Sequence, residues 1–209
     1  MYARTLILLC LLLSSVRASP ASRNLFLYLG ASRDIQPAAL SEMRSELESL
    51  MRSMGFNVAW WDSGKTRQVL GAYLVVVDLR GACHLASERF EPLKIPTSVA
   101  SSTMADGTVQ PFISVGCETL NRYIGNAILR LPPALREYLY GRALARLLAH
   151  ELYHVLANTA GHAASGIAKA SITSEDLLSE HLELGGEVDI GFQTAGDRHD
   201  LVYPAAGAK

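Results

Sequence analysis

One short segment combines residue types and a spacing that are typical of a reactive site. It reads His150-Glu151-Leu152-Tyr153-His154. In a helix, a spacing of four residues puts both imidazoles on one face, one turn apart, where they can hold a single metal ion. Glu151 lies about 100° around the helix from the first histidine, so it can stand beside the metal without being a ligand. Two histidines in an apolar stripe are costly to bury without a partner. The run therefore predicts a metal-binding helix with an adjacent carboxylate.

A catalytic zinc ion needs a third protein ligand and leaves its fourth position for water. His162, eight residues after His154, is the leading candidate, because a turn after the helix would bring it back to the metal. Glu175 or Glu180, on a short helix expected farther along the chain, is the alternative. The predicted metal site is therefore His150, His154 and His162, with a carboxylate in place of the third histidine as the other reading.

With these residues the chain resembles the zincin metalloproteases, and the His-Glu-x-x-His…Gly…His order at 150–162 is similar to that of their metzincin branch. It also resembles poorly characterised secreted bacterial proteins that share the His-Glu-Leu-Tyr-His helix. The third histidine comes two residues later than in metzincins, and no methionine follows Met104 to form their methionine turn. The resemblance implies a zincin-like α+β (α/β-like) domain, with a small mixed, twisted sheet packed on helices, a long active-site helix and a small C-terminal subdomain.

The resemblance also implies hydrolysis of peptide bonds in a peptide or protein substrate, with one Zn²⁺ per chain. Zinc lowers the pKa of a bound water towards about 7, and Glu151 would act as the general base and pass the proton to the leaving amine. Two other interpretations stay open. One is a secreted, zinc-stabilised binding or structural domain without catalysis. The other is a domain in which hydrogen bonds satisfy both histidines and no metal binds.

Composition narrows the class of protein. The 209 residues are 49% hydrophobic, with 19 basic and 20 acidic side chains, which is typical of one globular domain and argues against a nucleic-acid binder. An apolar run at 6–13 follows Arg4 and precedes Val16-Arg17-Ala18, the pattern of a signal peptide cleaved after Ala18. The run is too short to span a membrane. We expect a secreted or periplasmic monomer with no integral membrane segment after signal cleavage.

Two cysteines, Cys83 and Cys117, remain after the signal peptide is removed. In an oxidising compartment an even pair predicts a disulfide, with two buried free thiols as the alternative. Residues 1–18 are thus assigned to the signal peptide and 19–209 to a single zincin-like catalytic domain. Within that domain we expect an N-terminal subdomain at about 24–160, a C-terminal subdomain at about 161–195 and a flexible tail at about 196–209.

Hydrophobic periodicity predicts the elements that must position the site. Strands are expected at 24–29, 56–61, 72–79 and 111–115, and helices at about 37–54, 118–129, 134–158 and 175–184. Residues 81–109 carry no regular pattern. Because Pro111 suits an edge position, 111–115 is predicted as the edge strand, and the resemblance implies that an extended substrate would lie along it.

Overall fold

The computed structural model describes residues 23–30, 34–61, 73–85, 90 and 98–182. The predicted signal peptide, the predicted tail and the end of the predicted C-terminal subdomain lie outside these residues. Within them the chain has one five-stranded mixed sheet and four α-helices, which agrees with the predicted α+β class. None of the described helices is both long and apolar enough to cross a membrane.

The elements follow one another in an order close to the one predicted. In chain order they are β1 (Arg23–Leu29), α1 (Pro37–Ser53), β2 (Phe56–Trp61), β3 (Tyr73–Arg80), β4 (Ala100–Ala105), β5 (Thr108–Gly116), α2 (Cys117–Ile128), α3 (Pro133–Ala157), one 3₁₀ turn (Gly166–Ala168) and α4 (Ser174–Leu178). α4 is shorter than the helix expected at 175–184, and β4 was not expected at all.

The strands lie in the order β2-β1-β3-β5-β4. All neighbours run parallel except β4, which is antiparallel to β5. The register sets Leu27 beside Val75 and Val77 beside Ile113, and each of these side chains is at most 1% exposed. Because side chains alternate along a strand, these apolar rows continue across one face of the sheet. α1 and α3 cover that face and complete the core.

The prediction that 111–115 is an edge strand is wrong, because β4 lies outside β5 and pairs with it. β4 reads Ala100-Ser-Ser-Thr-Met-Ala105, and small polar residues give little strand signal. Asp106 and Gly107, which join β4 to β5, both have positive φ, of 49° and 73°, as a two-residue hairpin turn requires. The pairing is irregular opposite Pro111, which has no N–H to give to the ladder.

The buried disulfide between Cys83 and Cys117 confirms the predicted pairing. It joins the loop after β3 to the first residue of α2. At a sequence separation of 34, the link stabilises the fold by about 3–4 kcal/mol in the chain-entropy model.

α3 is the longest described element, with 25 residues. Pro133 starts it, since its fixed φ suits the first helical position, and Asn158 ends it with a left-handed φ of 47°. α3 lies against α1 at very short range around Gly141. A Cβ added there would come within 2.3 Å of the Ala39 carbonyl oxygen. Only glycine allows this approach.

Gly141→Ala should therefore destabilise the protein, although alanine is the better helix former by about 1 kcal/mol. The added methyl group must push α1 and α3 apart, and we expect a loss of about 1–3 kcal/mol in urea unfolding. Ser49→Ala, at an exposed position of α1, is the control that changes helix propensity without a clash. Equal stability of Gly141→Ala and the parent protein would contradict this packing.

Candidate metal centre

Three histidines meet at the C-terminal end of α3. The ring nitrogens of His150, His154 and His162 that face one another all lie within 4.8 Å. His154 is 7% exposed and His150 is half-buried, while His162 is exposed. The structure thus brings together the three histidines that the sequence singled out. Neither Glu175 nor Glu180 belongs to this cluster.

Each of the two helix histidines is oriented by a backbone carbonyl. His150 Nδ1 lies 2.7 Å from the Ile167 oxygen, and His154 Nδ1 lies 2.8 Å from the Thr159 oxygen. A carbonyl oxygen only accepts hydrogen bonds, so both Nδ1 atoms must carry the proton. Both Nε2 atoms are then left with a lone pair. Such carbonyl partners are the usual means of fixing a metal-binding imidazole.

The two Nε2 atoms lie 3.2 Å apart. Neither has a hydrogen to share when both rings are neutral, so two lone pairs face each other. A tetrahedral zinc ion with bonds of about 2.0–2.1 Å holds two nitrogen ligands roughly 3.3–3.4 Å apart. The spacing of the two nitrogens therefore fits a shared metal ion and does not fit a hydrogen bond between neutral rings.

The pKa values of His150 and His162 favour the metal-binding form of these two side chains. Burial lowers the pKa of His150. The hydrogen bond to the Ile167 carbonyl raises this pKa in part, and the neighbouring His154 and His162 lower it again. Burial and then His154 lower the pKa of His162. The two imidazoles therefore stay neutral at neutral pH, which is the state that coordinates a metal.

The loop after α3 explains how a spacing of eight residues brings His162 to the cluster. Asn158 turns the chain in a left-handed conformation, and its Oδ1 accepts a 2.8 Å hydrogen bond from the Val109 N–H. Thr159 Oγ1 then accepts from the Gly161 N–H at 2.9 Å. The His162 ring ends 5.4 Å from His150 and 4.8 Å from His154, centre to centre.

Glu151 is 6% exposed and points to the edge strand β4 instead of joining the three histidines. Its carboxylate accepts hydrogen bonds from both the hydroxyl and the backbone N–H of Ser102. Burial raises the pKa of Glu151, and these two bonds and His154 offset part of that rise. Sequence reasoning missed Ser102, because the Ala/Ser-rich strand that carries it gave no pattern.

One face of α3 carries four donors at a spacing of four residues, Arg142, Arg146, His150 and His154. Each donates to a carbonyl oxygen of the segment that follows the helix, and the acceptors occur in reverse order. The bonds are His154 to Thr159 (2.8 Å), His150 to Ile167 (2.7 Å), Arg146 to Asp176 (2.6 Å) and Arg142 to Ser179 (2.8 Å). We call this set the donor ladder. It fastens residues 159–179 along α3, antiparallel to it.

Arg146 is the most buried member of the donor ladder, with 1% of its surface exposed. Its Nε forms an ion pair with Glu46 of α1 at 3.0 Å, and its Nη1 also contacts Ser179 Oγ. Burial lowers the pKa of Arg146, and the hydrogen bond to Glu46 opposes that shift. A buried guanidinium is tolerated only with such partners, so α1, α3 and α4 are tied at one point.

The chain matches no family model, and no curated protein and no solved structure shows significant similarity to it.

The cluster predicts that the purified protein binds about one zinc ion per chain. His150→Ala, His154→Ala and His162→Ala should each lose the metal on dialysis against a weak chelator, since each removes one of three ligands. His181→Ala, an exposed histidine outside the cluster, should keep it. Metal content by mass spectrometry checks this, and zinc retained in His162→Ala would mean that the third ligand lies elsewhere.

Asp176 anchors α4 and should make stability depend on pH. Burial raises its pKa, but hydrogen bonds from Lys169 and Thr173 outweigh burial and lower it to about 2 from 3.8. The unfolded chain therefore takes up this proton first, and the stabilisation is lost as pH falls from 3.8 to about 2. Asp176→Asn should cost about 1 kcal/mol at pH 6, measured by urea unfolding. If the difference in the free energy of unfolding between the parent protein and Asp176→Asn stayed unchanged down to pH 3, this role of Asp176 would be contradicted.

Proposed function

We propose that the chain is a zinc-dependent metallopeptidase of zincin-like type that hydrolyses peptide bonds. One observation carries the proposal. Three imidazoles with facing nitrogens lie beside a buried carboxylate that follows the first of them and is not part of the cluster. A ligand set of three with an open fourth position is the arrangement of catalytic zinc sites, whereas structural sites are closed by four ligands.

The donor set supports zinc over other common ions. All three donors are imidazole nitrogens, which suit zinc, copper, iron and nickel and are poor ligands for magnesium or calcium. The two nitrogens of His150 and His154 are spaced as tetrahedral coordination requires. When bound, zinc would polarise the scissile carbonyl and acidify a water molecule.

Glu151 would supply the proton transfer. Its carboxylate would take a proton from the attacking water and later deliver it to the leaving amine. Because burial raises its pKa, the carboxylate is a stronger base than one in free solution. The two hydrogen bonds from Ser102 would hold it in place while leaving its remaining lone pairs for water.

β4 would position the substrate. It forms one edge of the sheet among the described strands, and Ser102 links it directly to Glu151. An extended peptide could add to this edge by backbone hydrogen bonds, which places its carbonyl groups next to the base. The exposed side chains of Ser101, Thr103 and Met104 line the same strand.

The buried Cys83–Cys117 disulfide supports the proposal that the protein is exported. Disulfides form and persist in secreted and periplasmic proteins and are rare where thiols are kept reduced. This agrees with the signal peptide proposed at 1–18.

A zinc-stabilised domain without catalysis is the second candidate, and the donor ladder favours it. The same two histidines that would bind zinc also hold the carbonyls of Thr159 and Ile167. Zinc would then serve to fasten the loop that carries His162. The two functions differ in one respect, because only the peptidase needs Glu151 as a base.

Glu151→Gln should therefore keep one zinc ion but lower the rate of peptide hydrolysis about 10²–10⁴-fold, the usual contribution of a general base. The measurement is cleavage of a mixture of unstructured peptides, followed by mass spectrometry, beside zinc content. Glu175→Gln, an exposed carboxylate outside the cluster, should cleave as the parent does. Zinc retained with unimpaired cleavage in Glu151→Gln would remove the assigned base, and no cleavage by the parent protein would favour the non-catalytic domain.

A further inference from the structure

A concave site lies near the N-terminal end of α3, away from the three histidines. Its cavity has a volume of about 190 Å³ and is lined by α1, the loop after β3 and the start of α3. Tyr140, which lines it, precedes His150 by ten residues, or about 15 Å along the helix axis. The cavity is therefore separate from the metal centre.

The sheet has a topological switch point beside this cavity. The chain leaves β1 through α1 and enters β2 on one side, whereas β3 leads to β5 on the other. The connections thus diverge between the neighbouring strands β1 and β3. In open sheets with parallel strands, ligands bind outside the carboxyl ends of the strands at such a switch point. Gln36, which follows β1, and His84, which follows β3, both line the cavity.

Tyr140 supplies a polar group that lacks a partner. The residue is 2% exposed, and its hydroxyl makes no hydrogen bond with any part of the chain that the structure describes. Leaving a buried hydroxyl unpaired costs free energy, and such a group in a native protein needs an explanation. Tyr123 shows the ordinary situation, since its hydroxyl donates to the Ile172 oxygen at 2.9 Å. An acceptor on a ligand would satisfy Tyr140.

The wall of the cavity also carries two opposite charges. Arg136 and Glu137 both line it, and within the described residues neither has an ionic partner, although Arg136 Nη1 donates to the Leu129 carbonyl oxygen at 3.2 Å. α1 begins beside them at Gln36 and Pro37, with no side-chain cap and no acidic residue in its first turn. The first N–H groups of a helix lack intrahelical partners and attract negative charge. One part of the wall therefore suits an anion and another suits a cation.

His84 adds a further contact of fixed orientation. Its Nδ1 donates to the Asp34 oxygen at 3.1 Å, because a carbonyl only accepts, and its Nε2 is then the nitrogen that can meet a ligand. Ala39, Leu85 and Cys83 form the apolar part of the wall.

The volume of the cavity is well below the roughly 300–1,000 Å³ of pockets for drug-sized ligands.

We propose that this cavity binds a small zwitterion of the α-amino-acid class. The carboxylate of the ligand meets Arg136, the Tyr140 hydroxyl and the start of α1, and its ammonium group meets Glu137. The apolar part of the wall takes a small side chain. The inference does not depend on zinc or on peptidase activity, so the failure of either proposal leaves the other standing.

Isothermal titration calorimetry of the purified full chain with L-alanine tests the ligand class. Acetate and methylamine each carry one of the two charges, and inorganic phosphate is a larger anion. L-alanine should saturate one site and bind at least about tenfold more tightly than any of the other three, with or without zinc. The proposal is overturned if L-alanine does not saturate a site, or if acetate or phosphate binds as well as L-alanine, which would indicate a plain anion site.

Tyr140→Phe separates a ligand-binding role from a structural one. Removing a hydroxyl that has no partner should not lower the thermal midpoint of the free protein, whereas L-alanine should bind about 10- to 100-fold more weakly. Tyr123→Phe is the matched control, since it removes a paired hydroxyl and should lower the midpoint while leaving L-alanine binding unchanged. A lower midpoint for Tyr140→Phe, or unchanged L-alanine binding, would contradict the proposal.

Two charge variants keep the test decisive if Tyr140→Phe folds poorly. Arg136→Gln should weaken the binding of L-alanine and of acetate alike. Glu137→Gln should weaken the binding of L-alanine and leave that of acetate unchanged. Arg122→Gln, at an exposed position of α2, should change neither. If Arg136→Gln and Glu137→Gln bind L-alanine as tightly as the parent protein does, neither side chain contributes to binding, and the assignment of the cavity to an α-amino acid is wrong.

Discussion

The protein is organised around two imidazoles whose lone pairs face each other. His150 and His154 each use their Nδ1 proton on a backbone carbonyl, which leaves two Nε2 atoms 3.2 Å apart with no hydrogen between them when both rings are neutral. In a largely buried place such an arrangement is unfavourable unless a cation lies between the nitrogens. The backbone carbonyls alone fix this orientation, so the cluster is already arranged as a bound ion would require.

The same helix face also determines the path of the chain after α3. The donor ladder carries two arginines and then two histidines, and every member donates to a carbonyl of residues 159–179. A metal ion held by the cluster and the fold of the C-terminal segment would therefore depend on the same two imidazoles. Loss of the metal would leave the lone pairs unopposed, and loss of Arg146 would leave Glu46 of α1 unpaired. His162 lies between Thr159 and Ile167, so its position depends on the two histidine members of the donor ladder.

The parts of this fold that local chemistry specifies could be predicted from the sequence. Histidine spacing, Pro133 and Asn158 define α3 and its ends, apolar runs define β1 to β3, and the count of cysteines predicts the disulfide. β4 could not be found by hydrophobic periodicity, because its alanine and serine residues carry little strand signal, although Asp106-Gly107 marks its turn. Ser102 and Arg146 could not be assigned either, since their partners Glu151 and Glu46 are far away in sequence.

X-ray absorption spectroscopy at the zinc edge of the zinc-loaded protein would identify the ligands of the metal. Coordination by the three histidines should give three imidazole nitrogens and one further light ligand, in four-coordinate geometry at about 2.0–2.1 Å. This result would agree with His150, His154 and His162 as the three protein ligands and leave one position for water. Two imidazoles with carboxylate oxygens, or a sulfur ligand, would contradict a site of three histidines.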